Sequence, residues 1–279
     1  MPSGPRRLGW AARVGHAVRG FNDNNQSIHA GHIAFATILS LFPFLIIVVA
    51  SAGMVGSTEA AREVVALGLE QVPHDVSAVL GPVAIEVVDS PRAGAVTIGL
   101  VGALWAASTG FEALRYAFDR AYGVAQPRVL WWRRLQSLGL TILFALVTLG
   151  AALSVLVLPR FVHFTADLLD RPEWASATVP GFVNLVVFAV LVLMTAALFK
   201  TLPYRRLRWA DVLPGAVFTV LGWGLAARAF ELYLTHVAAY SLTYGSLGGV
   251  VATLMFFYIA AAVLLFGCEL NAAGHRYGG

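Results

Sequence analysis

The stretch PGFVNLVVFAVLVLMTAALF, Pro180 to Phe199, holds 20 residues without an Asp, Glu, Lys or Arg. Wound as an α-helix it is about 30 Å long, the thickness of the hydrocarbon core of a bilayer. A helix at the edge of a soluble core keeps one polar face, and this one has none. Working outward, five more runs share the character, giving expected spans at about 33–55, 93–112, 135–158, 180–200, 212–234 and 245–268. The chain therefore reads as a single all-α membrane domain over 1–279, polytopic, with six transmembrane helices.

Composition agrees, since 58% of the 279 residues are hydrophobic and 12% charged, about half the charge of an ordinary soluble domain. The runs are continuously apolar instead of alternating, which excludes a β-barrel, and in lipid every backbone N–H and C=O needs a partner within its own segment. The first run starts more than 30 residues into the chain and outlasts the apolar stretch of a signal peptide, so it is expected to be retained. The lone Cys268 forms no intramolecular disulfide and reads as a small apolar residue of the last span.

Basic side chains fix the orientation. Fourteen fall in the amino-terminal segment, the second and fourth connections and the tail, four fall in the first and third connections, and Arg228 lies inside the fifth span. Arginines near span ends are retained in the cytoplasm. The alternation predicts both termini inside, and the basic excess is topological, with no nucleic acid expected as a partner.

Two segments between spans are amphipathic. Trp10, Val14, Ala17, Val18 and Phe21 share one helical face, with Arg6, Arg13, His16 and Arg19 on others. This predicts a cytoplasmic helix over part of 1–32 that either lies on the leaflet or packs beneath the bundle. The acidic connection 57–92 keeps helical spacing through Val72, Val76, Val79, Leu80, Val83 and Val87 and is expected to form external amphipathic helices, as a cap or a lid. Asp211 is placed to cap the fifth span, with Pro214 in its opening turn.

Ionisable residues in a membrane are costly and usually face a bundle interior or a wet cavity. Arg228, Glu231, Glu112 and Glu269 are the candidates for an intramembrane polar site. Arg228 and Glu231 are three apart on one face, either a local ion pair or an anion-binding arginine steadied by a carboxylate. Glu112 and Glu269 lie near the cytoplasmic ends of their spans, where snorkelling or a bridge to Arg115 or Arg276 competes with a substrate or proton site. Gly245 and Gly249, with Gly99 and Gly102, suggest close helix packing, and Ser40 before Pro43 a kink.

Signatures of phosphate loops, dinucleotide folds and zinc hydrolases do not occur, and there is no cysteine pair. His29 and His32 have no third ligand beside them in sequence. Neither a metal nor a cofactor is expected, and the chain is not expected to be an enzyme.

Several motifs act together: Ala34-Phe35-Ala36-Thr37-Ile38-Leu39-Ser40-Leu41-Phe42-Pro43, Trp105 with Ser108-Thr109-Gly110, Ala121-Tyr122-Gly123-Val124, Leu202-Pro203, Tyr244-Gly245-Ser246-Leu247-Gly248-Gly249, and Gly267-Cys268-Glu269-Leu270-Asn271. Their combination resembles the YihY/BrkB family. The resemblance implies a multi-pass protein of the bacterial inner membrane with six spans. The family's labels range from virulence-associated serum resistance through lipid or lipopolysaccharide-precursor transport to a ribonuclease. The last fits badly, because no acid/base pair or metal cluster outside the membrane is apparent in the sequence. The expected function is a transporter or flippase-like exporter of an amphipathic anionic envelope molecule, a lipid or lipopolysaccharide precursor. The alternatives are a non-transporting scaffold or envelope-integrity factor, and a membrane enzyme acting on lipid. The expected partners are membrane lipids, including an anionic lipid or glycolipid substrate, with homo-oligomerisation left open.

Overall fold

The structure is a computed structural model that describes residues 9–39, 59, 62, 66, 85, 93–124, 134–140, 142–143, 172–236 and 247–278. Among them no strand occurs, and seven helical segments account for nearly all of the described residues. They are α1 (Trp10–Asp23), α2 (26–39), α3 (Ala93–Ala121), α4 (134–140 and 142–143), α5 (Pro172–Thr201), α6 (Trp209–His236) and α7 (Leu247–Gly278). Within these residues, three helical stretches are long and apolar enough to cross a membrane: Gly181–Thr201, Trp209–Tyr233 and Val251–His275.

The helices run past the apolar stretches. α3 continues nine residues beyond Glu112 to Ala121, and α7 continues past Cys268 to Gly278. Apolar length measures what lipid tolerates, while backbone hydrogen bonding carries a helix on until a stop signal. For α3 that signal is Gly123, at φ 65°. The Val124 N–H donates to the Asp119 carbonyl at 2.9 Å and the Gly123 N–H to that of Arg120 at 3.1 Å, the paired closure of a left-handed glycine stop. The Tyr122-Gly123-Val124 motif is thus a helix terminator.

The start of α6 differs from the expectation in two respects. Asp211 does not precede the helix but sits in its first turn, where Oδ2 reaches back to accept the Arg208 N–H at 3.1 Å, as the acidic member of a capping box does. Pro214 lies further into the helix than its first turn. The irregularity is taken up by α7: Asn271 Oδ1 accepts the Gly215 N–H at 2.8 Å, and Nδ2 donates to the Val212 carbonyl at 3.1 Å. Here α6 and α7 come close enough that a Cβ on Gly215 would overlap the Gly267 carbonyl and the Asn271 amide. Further along, Trp223 Nε1 donates to the Ala260 carbonyl at 2.8 Å.

The core sits where α3, α5, α6 and α7 converge, around Phe118, Phe199, Val212, Ala216 and Leu265. The Phe118 and Phe199 rings are 5.3 Å apart. α1 does not stand off from the bundle: it runs antiparallel to the end of α7, with Ala17 buried, Phe21 6.2 Å from Phe266, and Arg13 against Gly274. Trp10 and Val18, from the same apolar set, remain exposed. Of the two expected placements, packing against the bundle describes Ala17 and Phe21, and an outward apolar edge remains.

Ser40, Pro43, Tyr244 and Gly245 lie outside the described residues, as does most of the third span and of the 57–92 connection. Gly248 and Gly249 lie in the first turn of α7.

Candidate functional site

Five segments bring polar groups to one end of the bundle, which begins with a corner. α1 stops at Asp23 and α2 starts at Gln26, and between them Asn25 takes φ 53°. Asparagine tolerates that left-handed conformation better than most residues with a side chain. The residues flanking the turn, Asn24 and Gln26, both reach Glu269 on α7. Asn24 Nδ2 donates to Glu269 Oε1 at 2.7 Å, and Gln26 Nε2 donates to the same oxygen at 2.8 Å. The second Gln26 N–H goes to the Ala117 carbonyl of α3 at 3.2 Å. Gln26 is fully buried and Glu269 is 2% exposed.

The other carboxylate oxygen, Oε2, lies over Gly20, where a Cβ would strike it. Around this contact is a cleft of about 260 Å³ lined by His16, Arg19, Gly20, Asp23, Asn24, Glu269 and Ala273. Burying a carboxylate is unfavourable by several kcal/mol, on the order of what hydrogen bonds to the charged form return. Two amide donors on one oxygen are such a return.

Two further buried charges lie on the last turns of α3. Arg115 and Asp119 are one turn apart. Asp119 Oδ1 accepts the Tyr204 N–H at 2.8 Å, which pins the Leu202-Pro203-Tyr204 turn between α5 and α6 against α3. Beside this turn Lys200 sits 4.3 Å over the Trp209 ring, the cation and aromatic pairing usual at a membrane surface. Burial pushes the Tyr122 phenol well above its usual range, with Cys268, Asp211 and Glu269 pushing the same way and Arg205 opposing them. His29, ahead of the first apolar run and 5.1 Å from the Tyr116 ring, is held below its usual pKa by desolvation, then by Arg120 and His32.

The four sequence candidates separate. Glu269 is buried in the polar end, gripped by amides that the sequence reading had not singled out. Glu112 pairs with Arg134 of α4 at 3.2 Å, and the Arg134 guanidinium stacks 3.7 Å from the Trp105 ring. Arg228 and Glu231 pair with each other at 3.2 Å, their side chains 81% and 64% exposed. They share the outer face of α6 with Leu221, Leu225 and Leu232. Asn271 bonds to the α6 backbone. Among the described residues no group of three or more His, Cys, Asp or Glu is arranged to hold a metal.

Glu269 is signalled by its charge at the end of an apolar run and by its motif. Gln26, Asn24, Gly20 and Asp119 carry no such signal, because their importance comes from helices distant in sequence.

These motif residues, Gly123, Leu202-Pro203 and Gly267 to Asn271, fall within residues 17–278, which match the family model described as Virulence factor BrkB. The chain belongs to the BrkB family. Its relatives include the ribonuclease-like protein YfkH of Bacillus subtilis, 29% identical over 91% of this chain and 93% of YfkH. A UPF0761 membrane protein of Pseudoalteromonas translucida is 23% identical over 90% of this chain and 81% of its own. Another, from Aromatoleum aromaticum, is 25% identical over 87% of this chain and 58% of its own. No solved structure matches this BrkB-family chain. With these relatives and its apolar helices, the BrkB-family chain is a membrane protein.

Proposed function

We propose that this BrkB-family protein is a transporter or flippase-like exporter of an amphipathic envelope molecule, and that the cleft beside Glu269 is its cytoplasmic entrance. The observation that carries the reading is the buried Glu269 carboxylate, held by Asn24 and Gln26 while it borders a cleft with Arg19, His16 and Asp23. A charged group kept in a membrane bundle beside an opening is a functional position by default. The six-span inner-membrane topology with both termini inside belongs to the same proposal. It is supported by the arginine alternation and by the meeting, at one end, of the segments assigned to the cytoplasm.

The test is translocation of labelled phospholipid in vesicles reconstituted with the purified protein. Glu269→Gln keeps the hydrogen-bond acceptor and removes the charge, and is expected to lower flux about tenfold or more, the effect of losing ~1.4 kcal/mol or more in the limiting step. Flux unchanged in a variant with wild-type melting refutes the entrance.

A second reading, a scaffold without transport, is favoured by the outward Trp10 and Val18 edge of α1. It predicts no protein-dependent flux and a specific partner crosslinked at position 10 or 18. The protein is taken as non-enzymatic, and the name of YfkH makes RNA cleavage the control: purified protein is expected to leave RNA intact.

A further inference from the structure

We infer that the cleft between α1 and α7 is a headgroup site for a phosphate ester carrying a primary ammonium, as in an ethanolamine phospholipid. The inference specifies the ligand class of the entrance proposed above, and its test does not depend on movement of that ligand.

The cleft is not uniformly charged. His16, Arg19, Gly20 and Asp23 follow one another at i, i+3, i+4 and i+7, so they form one stripe along α1. The stripe begins basic, with His16 and Arg19, and ends acidic, with Asp23. The opposite wall comes from α7, where Ala273, one turn beyond Glu269, carries no charge and the Glu269 carboxylate lies over Gly20 at the centre, while Asn24 closes the acidic end of the stripe. Gly20 at the centre gives the cleft its depth.

An all-cationic cleft would select a plain anion, and an all-acidic one a cation. A cleft graded from guanidinium to carboxylate selects a ligand with both charges in that order. Arg19 and Asp23 are separated by about one helical turn, roughly 5–6 Å along the axis, a distance spanned by the two-carbon link between a phosphate and an amine. Arginine recognises the phosphate oxygens through its planar fork of donors. The carboxylates accept hydrogen bonds from an ammonium, which a trimethylated amine lacks.

The experiment uses the full chain in detergent, with native mass spectrometry of bound lipid after titration with phosphatidylethanolamine, phosphatidylcholine or phosphatidylglycerol. A parallel arm tests competition by soluble O-phosphoethanolamine. The wild type is expected to retain phosphatidylethanolamine about tenfold more than either other lipid, the effect of one charge-assisted hydrogen bond. The decisive variant combines Arg19→Asp with Asp23→Arg, which preserves net charge and an i, i+4 pair on α1 but reverses the gradient. It is expected to abolish the preference, and Asp23→Asn alone to erase the discrimination against choline. Competition by the soluble ester assigns the site to the headgroup alone, and binding of the lipid without competition assigns it to the bilayer-embedded molecule.

Equal retention of the three lipids by the wild type, or a preference that survives the reversal, overturns the inference. A protein that shows the preference yet moves no lipid refutes the transport reading and leaves this one standing.

Discussion

Asn271 on α7 closes a gap in the backbone of α6, accepting the Gly215 N–H at 2.8 Å while donating to the Val212 carbonyl at 3.1 Å. One side chain thereby supplies both an acceptor and a donor to a helix that Pro214 has made irregular. The approach requires Gly215 and Gly267 to lack side chains.

Asn271→Leu is therefore expected to remove two buried hydrogen bonds between α7 and α6, each worth about 0.5–1.5 kcal/mol. The check is the melting temperature in detergent beside the wild type. Gly215→Ala, which forces backbone against backbone, should destabilise by about 1–3 kcal/mol or more. Gly224→Ala, where a Cβ meets nothing within 4 Å, should instead stabilise by up to ~1 kcal/mol through helix propensity.

The Arg228–Glu231 pair points outward and should be close to neutral. A double-mutant cycle in detergent is expected to give about 0–1 kcal/mol of coupling, in the range of exposed i, i+3 pairs. Flux of Arg228→Ala should match the wild type where that of Glu269→Gln falls. The reverse pattern would move the functional site to α6.

Arg134 is asked to do two things, pairing with Glu112 and lying on Trp105. Arg134→Lys retains the charge and loses the planar stacking, for an expected loss of about 0.5–1 kcal/mol. Glu112→Gln removes a half-exposed pair and should lose less than about 1 kcal/mol. Unfolding in mixed micelles ranks the two.

His29 gives a pH dependence of known sign. Its pKa is lowered in the folded protein, by desolvation first and then by Arg120 and His32. Its neutral form thus stabilises the fold above the unfolded value near 6.5, and that contribution is lost as pH falls below 6.5 through the folded pKa. Melting temperature measured from pH 7.5 to 5 should drop on the acid side, and His29→Asn should reduce the drop.

How much of this was visible in the residues themselves depends on the range of the interaction. Spans and end signals are local, so Pro180 to Phe199, Asp211 and Gly123 could be read from neighbours within a few positions. Asn24 and Glu269 are 245 positions apart, and no periodicity relates them. Similarly, the expected close packing was sought in Gly-x-x-x-Gly spacing within one helix, whereas the approach described here joins Gly215 and Gly267 across two. For Glu112 the sequence leaves snorkelling, a bridge to Arg115 or Arg276 and a substrate site open, and its pairing with Arg134 depends on where α4 lies.

The left-handed turn at Asn25 places the amides of the two residues flanking it, Asn24 and Gln26, on a single carboxylate oxygen. The end of α1 and the start of α2 are thus both tied to one electron pair donor. A substitution that removes that atom takes away both tethers together. The α1–α2 corner is in this sense a two-point clamp closed on one acceptor, Glu269 Oε1.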